Sequence, residues 1–151
     1  MTLTHCRPSR RPGLTLAGLA IVLGVAGVLA AVGVPRLIRK GEGLRASEAF
    51  AYLYSIKSAQ ERYQARSGTF AASLYDLDNE TDPPKDFSVA EKFTPGSTGS
   101  LKDSWTLALT RKGISPWFGA YTVVFRETGF DAAASRFDTS LVDEVCLMGY
   151  E

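Results

Sequence analysis

Between Gly13 and Pro35 the chain carries no charged residue, whereas charges recur throughout the rest. Residues 14–34 read LTLAGLAIVLGVAGVLAAVGV. As a helix these 21 residues rise roughly 31 Å, close to the hydrocarbon thickness of a bilayer. The block is therefore long enough to span, and whatever folds in water must be built from the residues after it. Twelve residues precede Gly13, with Arg7, Arg10 and Arg11 and no acid; Arg36, Arg39 and Lys40 follow the block. Both flanks are basic, so charge asymmetry alone does not orient the segment.

A chain of 151 residues and 16.3 kDa has room for one domain and a tail. Seventeen Lys and Arg oppose sixteen Asp and Glu, for a formal net charge of +1. That balance supplies no basic field for a nucleic-acid partner, and none is expected. With 45% hydrophobic residues, the composition is that of a folded protein rather than a disordered one.

Three fates compete for the apolar block. A signal peptidase removes it, after small residues such as Ala31 and Gly33, with Ser9-Arg10-Arg11 and Leu14 as a twin-arginine variant of the same idea. Alternatively it stays as a plain uncleaved anchor. The third fate rests on Arg10-Arg11-Pro12-Gly13-Leu14-Thr15-Leu16, a short basic leader ending in Gly just before an apolar helix. This run resembles the class III signal of type IV pilins and type II secretion pseudopilins. The resemblance implies cleavage by a prepilin peptidase between Gly13 and Leu14, retention of the apolar helix, and N-methylation of Leu14. It also places a proline at residue 22 of the processed chain, and Pro35 is the 22nd residue counted from Leu14. Proline removes a helix donor and crowds the preceding turn, so a bend or local unwinding is expected there.

The chain departs from that pattern at Gly18, where filament-forming members carry Glu, and at Leu14, where Phe is usual. Loss of the Glu removes an ionic element of subunit registration, which points to a minor, initiating or divergent subunit. Leu16, Gly18, Ala20, Gly24, Gly27, Ala31 and Pro35 make up the expected assembly helix. Ala20/Gly24 and Gly27/Ala31 stand four apart, a spacing that lets membrane helices approach closely. Small residues are also simply common in spanning helices.

Beyond Lys40, EGLRASEAFAYLYSIKSAQERYQARSG has good helix formers and no proline. Ala46, Ala49, Phe50, Leu53, Ile56 and Tyr63 recur at helical steps and predict a buried stripe. Ser47, Lys57, Glu61 and Arg62 mark wetter faces. Glu48/Tyr52 and Lys57/Glu61 are i,i+4 pairs, worth about 0.2–0.5 kcal/mol each when exposed. A helix from Leu14 to Ser67 would be roughly 80 Å long, with Gly68 as its stop. Gln60-Glu61-Arg62-Tyr63, Gly68-Thr69-Phe70 and Ser73-Leu74-Tyr75-Asp76-Leu77 look like the bacterial pilin run in which the long helix ends at Gly and a short turn follows. Together with the leader, the resemblance covers residues 10–77.

Residues 78–104 read as a connecting loop with at most a short helix. Trp105–Thr110 and Tyr121–Glu127 predict strands, with a turn beginning at Arg111-Lys112-Gly113 and a third, weaker strand at Val142–Met148. The expected fold is α+β and pilin-like: a long N-terminal helix, membrane-spanning in its first half, packed on a small antiparallel sheet. Its parts are a leader (1–13), an assembly helix (14–38), a soluble half-helix (39–68) and a loop-and-sheet region (69–151).

No catalytic constellation emerges, and an enzyme is not expected. His5 is the sole histidine and Cys6 one of two cysteines. Both fall in the leader, so a processed chain has no His and cannot bridge Cys6 to Cys146. Cys146, in VCLM, reads as a small core residue. Asp76, Asp78, Asn79, Glu80 and Asp82 form an acidic cluster in which Asp76, Asp78 and Asp82 are weak calcium candidates. The spacing fails an EF-hand loop, because no Gly holds the sixth position and Phe87 stands where the closing carboxylate belongs. A solvated loop is the better reading, also for Asp138, Asp143 and Glu144, and no cofactor is expected. Trp117-Phe118 is a candidate docking tip, although aromatics at such places more often close a sheet core. Removal of the leader takes the formal charge from +1 to −2.

These readings combine into a structural subunit of a type IV pilus or type II secretion pseudopilus in a bacterial inner membrane, its globular part outside the cytoplasm. Prepilin peptidase, other pilin or pseudopilin subunits and membrane lipid are its expected partners. The alternative from another class is a monomeric single-pass anchored binding module.

Overall fold

The structure, a computed structural model, describes residues 15–113 and 118–141. The chain divides into two units, Met1–Leu37 and Ile38–Glu151. One helix, α1, contributes to both and runs from Leu16 to Ser67. Its N-terminus is capped locally: the Thr15 hydroxyl accepts the Gly18 N–H at 3.1 Å, and the Thr15 carbonyl accepts from Leu19 at 3.0 Å.

In the first unit, the described residues from Leu16 onward belong to α1 and are overwhelmingly apolar. Pro35 lies inside the helix without interrupting it. Of the bend or local unwinding expected at Pro35, the unwinding is therefore not found. A single proline deprives only the carbonyl of Ala31 of its i→i−4 donor, while bonds before and after it persist.

In the second unit, α1 presents Ala46, Ala49, Phe50, Leu53 and Ile56 to the core, each no more than 2% exposed. Tyr63 packs against the same cluster from its margin. The predicted stripe is thus the buried face, widened by Tyr52 and Ala59. Tyr52 is 4% exposed, so its pairing with Glu48 is not the exposed helix pair expected. Lys57 and Glu61 do pair, at 3.7 Å. Gly68 ends the helix with φ +76°, the left-handed conformation that a helix stop of this type uses.

The chain then turns back under a side chain of its own helix. Gln60 is fully buried; its amide donates to the Ala71 carbonyl at 3.2 Å and accepts the Ala71 N–H at 2.8 Å. Two backbone groups that would otherwise be unpaired in the core are satisfied by one residue. A 3-10 turn at Leu74–Asp76 follows, capped by Ser73, whose hydroxyl accepts from the Tyr75 N–H.

Five antiparallel strands form one sheet: β1 (Phe87–Val89), β2 (Thr94–Pro95), β3 (Trp105–Arg111), β4 (Thr122–Arg126) and β5 (Gly129–Phe130). Their order is β1-β3-β4-β5, with β2 also paired to β3. The register joins Leu107 to Phe125 and Leu109 to Val123. Trp105, Leu107 and Leu109 alternate inward along β3, each no more than 1% exposed. Phe50 of α1 meets Phe125, Phe130 and Phe137 at ring centroid distances of 5.7, 5.1 and 5.4 Å, and Trp105 is met edge-on by Phe93 at 5.5 Å.

Two expectations are corrected here. Residues 78–104 are not only a loop, since they contain β1 and β2. Strands of three and two residues are too short to show an alternation, and Pro95 is tolerated because β2 needs no donor at that edge position. Arg111 ends β3 instead of opening a turn, because Phe87 of β1 pairs with it. The third strand expected at Val142–Met148 lies outside the described residues.

Candidate functional site

The helix of the first unit is the feature with the clearest functional character. Leu16, Ile21, Val28, Leu29 and Leu37 are each 68% exposed or more. Ala20 and Ala31 are exposed as well, while Gly18 and Pro35 are half-buried. It is the one helix among the described residues long and apolar enough to cross a membrane, and nothing in its most apolar window is buried. Gly24, Gly27 and Gly33 would each meet no heavy atom within 4 Å if given a Cβ, and a Cβ at Gly18 would approach only the Thr15 hydroxyl, at 3.3 Å. No tight contact within the chain therefore requires glycine at Gly24, Gly27 or Gly33. An apolar rod uncovered on all sides suits hydrocarbon or other apolar helices as its surroundings. Gly13 and Leu14, the expected processing site, lie outside the described residues, as do His5, Cys6 and Cys146.

In the second unit, a buried ionic cluster fastens α1 to the sheet. Glu42 is 2% exposed. Its Oε1 accepts from Arg111 Nε at 2.7 Å and from the Tyr121 hydroxyl at 2.8 Å. Its Oε2 lies 3.3 Å from Arg45 Nη1. Asp86, just before β1, completes the group, with Oδ2 accepting from Arg45 Nε at 3.0 Å and its carbonyl accepting from Arg111 Nη1 at 3.1 Å. Burial pushes the Glu42 carboxyl up, but bonds from Arg111 and Tyr121 and the charges of Arg111 and Arg45 outweigh it, holding the pKa below the ordinary 4.5. The same contact raises Arg111. Burial, then the bond to Glu42, pushes the Tyr121 phenol well above its ordinary 10. Tyr121 is therefore neutral and Glu42 ionised at neutral pH. The carboxylate oxygens are taken by Arg111, Tyr121 and Arg45, so the arrangement clamps the helix to the sheet.

The other expected positions separate. Asp76, Asp78 and Asp82 are all exposed, and among the described residues no three His, Cys, Asp or Glu side chains are grouped to hold a metal ion. The Asp78 carbonyl is taken by Arg62 at 2.9 Å, in an open groove of about 360 Å³ with Ser55, Ser58 and residues 79–81. Phe118 is half-buried and packs against the core, while Trp117 lies outside the described residues. The Glu42 cluster was not found from sequence, since Glu42 and Arg111 are 69 residues apart. The one local signal was an acid followed three residues later by Arg45. No protein-family model matches the chain, and no curated protein matches it.

Proposed function

We propose that this chain is a prepilin-like structural subunit, delivered to a bacterial inner membrane, cut after Gly13 by a prepilin peptidase and N-methylated on Leu14. It enters a pilus or a type II secretion pseudopilus by lateral packing of its apolar helix. The observation that carries the reading is α1 itself. Its first part is apolar and uncovered, and its second part is the core helix of a small antiparallel sheet domain.

In lipid, burial of leucine and valine against other helices gains little over burial in acyl chains, so association depends on close packing. The bare backbone at Gly24 and Gly27 permits that approach. With Gly at position 18, registration between neighbours lacks an ionic component, which suits a minor or divergent subunit better than an abundant one. No catalytic role is proposed.

N-terminal sequencing of the protein from its native membrane tests this. A chain beginning at Leu14 is expected; one beginning at Met1, or beyond Ala31, overturns the proposal. Crosslinking in the same membrane is expected to give a ladder of higher species, which a monomeric anchored binding module would not produce.

A further inference from the structure

The second unit carries a groove whose walls depend on a missing side chain. A Cβ at Gly43 would stand 2.7 Å from the Leu141 carbonyl oxygen, so glycine is what lets the 3-10 turn Thr139–Leu141 lie against α1 at that level. Turn and helix border an open groove of about 440 Å³, lined besides Gly43 by Arg39, Lys40, Leu44, Ser47, Ser140 and Leu141. Its character is mixed. Leu44 is 69% exposed, an apolar side chain with little cover. Among the described residues neither Arg39 nor Lys40 has an ion-pair partner within 4.0 Å. The acid near them, Asp138, accepts the Ser140 N–H at 2.9 Å, and bonds from Ser140 chiefly hold its pKa down, with a smaller contribution from Arg39.

Arg39 and Lys40 stand five and six residues past Val34, the last apolar residue before Pro35. In a helix that is less than two turns, or about 9 Å. The polar layer outside the hydrocarbon is about as deep, and long cationic side chains reach into it readily. We infer that the groove seats the phosphate of an anionic phospholipid headgroup, held by Arg39 and Lys40, with its glycerol and acyl chains directed back toward the hydrocarbon. A free phosphate has no acyl chains to hold it at this level, within two turns of the apolar block. A second protein would need more apolar surface than Leu44 and Leu141 provide. The inference rests on the reading of α1 as a membrane span.

The full chain, reconstituted in nanodiscs of phosphatidylcholine and phosphatidylglycerol, provides the test, with lipid retained through partial delipidation counted by native mass spectrometry. Phosphatidylglycerol should be retained in preference to phosphatidylcholine. Neutralisation by Arg39→Gln and Lys40→Gln should weaken that preference roughly fivefold per charge. Gly43→Ala keeps every charge but displaces the turn, and should weaken it too. Arg36→Gln removes a cation that does not line the groove and should leave it unchanged. Circular dichroism identifies any variant that fails to fold, and the Arg39/Lys40 pair decides if Gly43→Ala does. Equal retention of the two lipids by the native chain, or a loss in Arg36→Gln as large as in the double variant, overturns the headgroup site while leaving the spanning helix intact. Displacement of the lipid by inorganic phosphate alone also overturns it. Failure of the native chain to enter nanodiscs sinks the membrane reading itself, which is a separate result.

Discussion

Glu42 and Arg111, 69 residues apart in the chain, meet through a hydrogen bond of 2.7 Å from Arg111 Nε to Glu42 Oε1. The Glu42 side chain is 3% and the Arg111 side chain 11% exposed. A pair this dry is costly to leave half-made, because the surviving charge has no water to return to. Glu42→Gln is therefore expected to destabilise the second unit by about 3 kcal/mol, the low end for a broken buried pair. The low end applies because Arg111 keeps bonds to the Asp86 and Lys112 carbonyls. Thermal unfolding in detergent, followed by circular dichroism, measures it.

The same cluster sets a pH response with a defined sign. The folded pKa of Glu42 is lowered from 4.5, so its contribution is present above about 4.5 and is lost as pH falls through the folded value. That of Tyr121 is raised above 10, so its contribution is present below about 10 and is lost as pH rises through the folded value. Melting temperatures of the native chain should fall at both extremes. Glu42→Gln should flatten the acid limb and Tyr121→Phe the alkaline one; unchanged slopes in both variants would refute the assignment.

Gln60→Leu fills the same space but abandons the Ala71 N–H and carbonyl inside the core. Ala71 is 1% exposed, so the expected cost is about 3 kcal/mol. Amide exchange at Ala71 should accelerate more than at Leu109 of β3, because the lost bonds act locally.

Gly68→Ala introduces a Cβ that would meet no heavy atom within 4 Å, at a backbone φ of +76°. Any penalty is therefore conformational, about 1–2 kcal/mol. Gly68→Asn should recover much of it, because Asn tolerates the left-handed region. Paired denaturant titrations of the two variants separate strain from clash.

If the chain is the divergent filament subunit proposed above, Gly18→Glu is expected to raise the yield of crosslinked species in cells, by supplying an acid for a neighbouring amine. An unchanged yield would count against that role and, within the same proposal, for a tip position.

The long helix was legible because its signals are local and repeated: Ala46, Ala49, Phe50, Leu53 and Ile56 mark one face, and Gly68 marks the stop. Strands β3 and β4 showed themselves through runs of β-branched and aromatic residues. β1 and β2 did not, since Phe87–Val89 and Thr94–Pro95 acquire their strand character from partners on β3 and not from any pattern of their own. Arg111 looked like the start of a turn because Lys112 and Gly113 follow it. Its real role depends on Glu42, and nothing in either neighbourhood announces the other. The groove at Gly43 was hidden for the same reason, because its second wall comes from Thr139–Leu141, almost a hundred residues on.

Among the described residues, every buried apolar side chain of the core comes from Ala46 or later. Cutting the polypeptide anywhere before Pro35 thus removes no brick from that wall. The melting temperature of the second unit is therefore expected to be alike in a cut and an uncut chain, so the transition will not tell the two apart and the mass of the chain will.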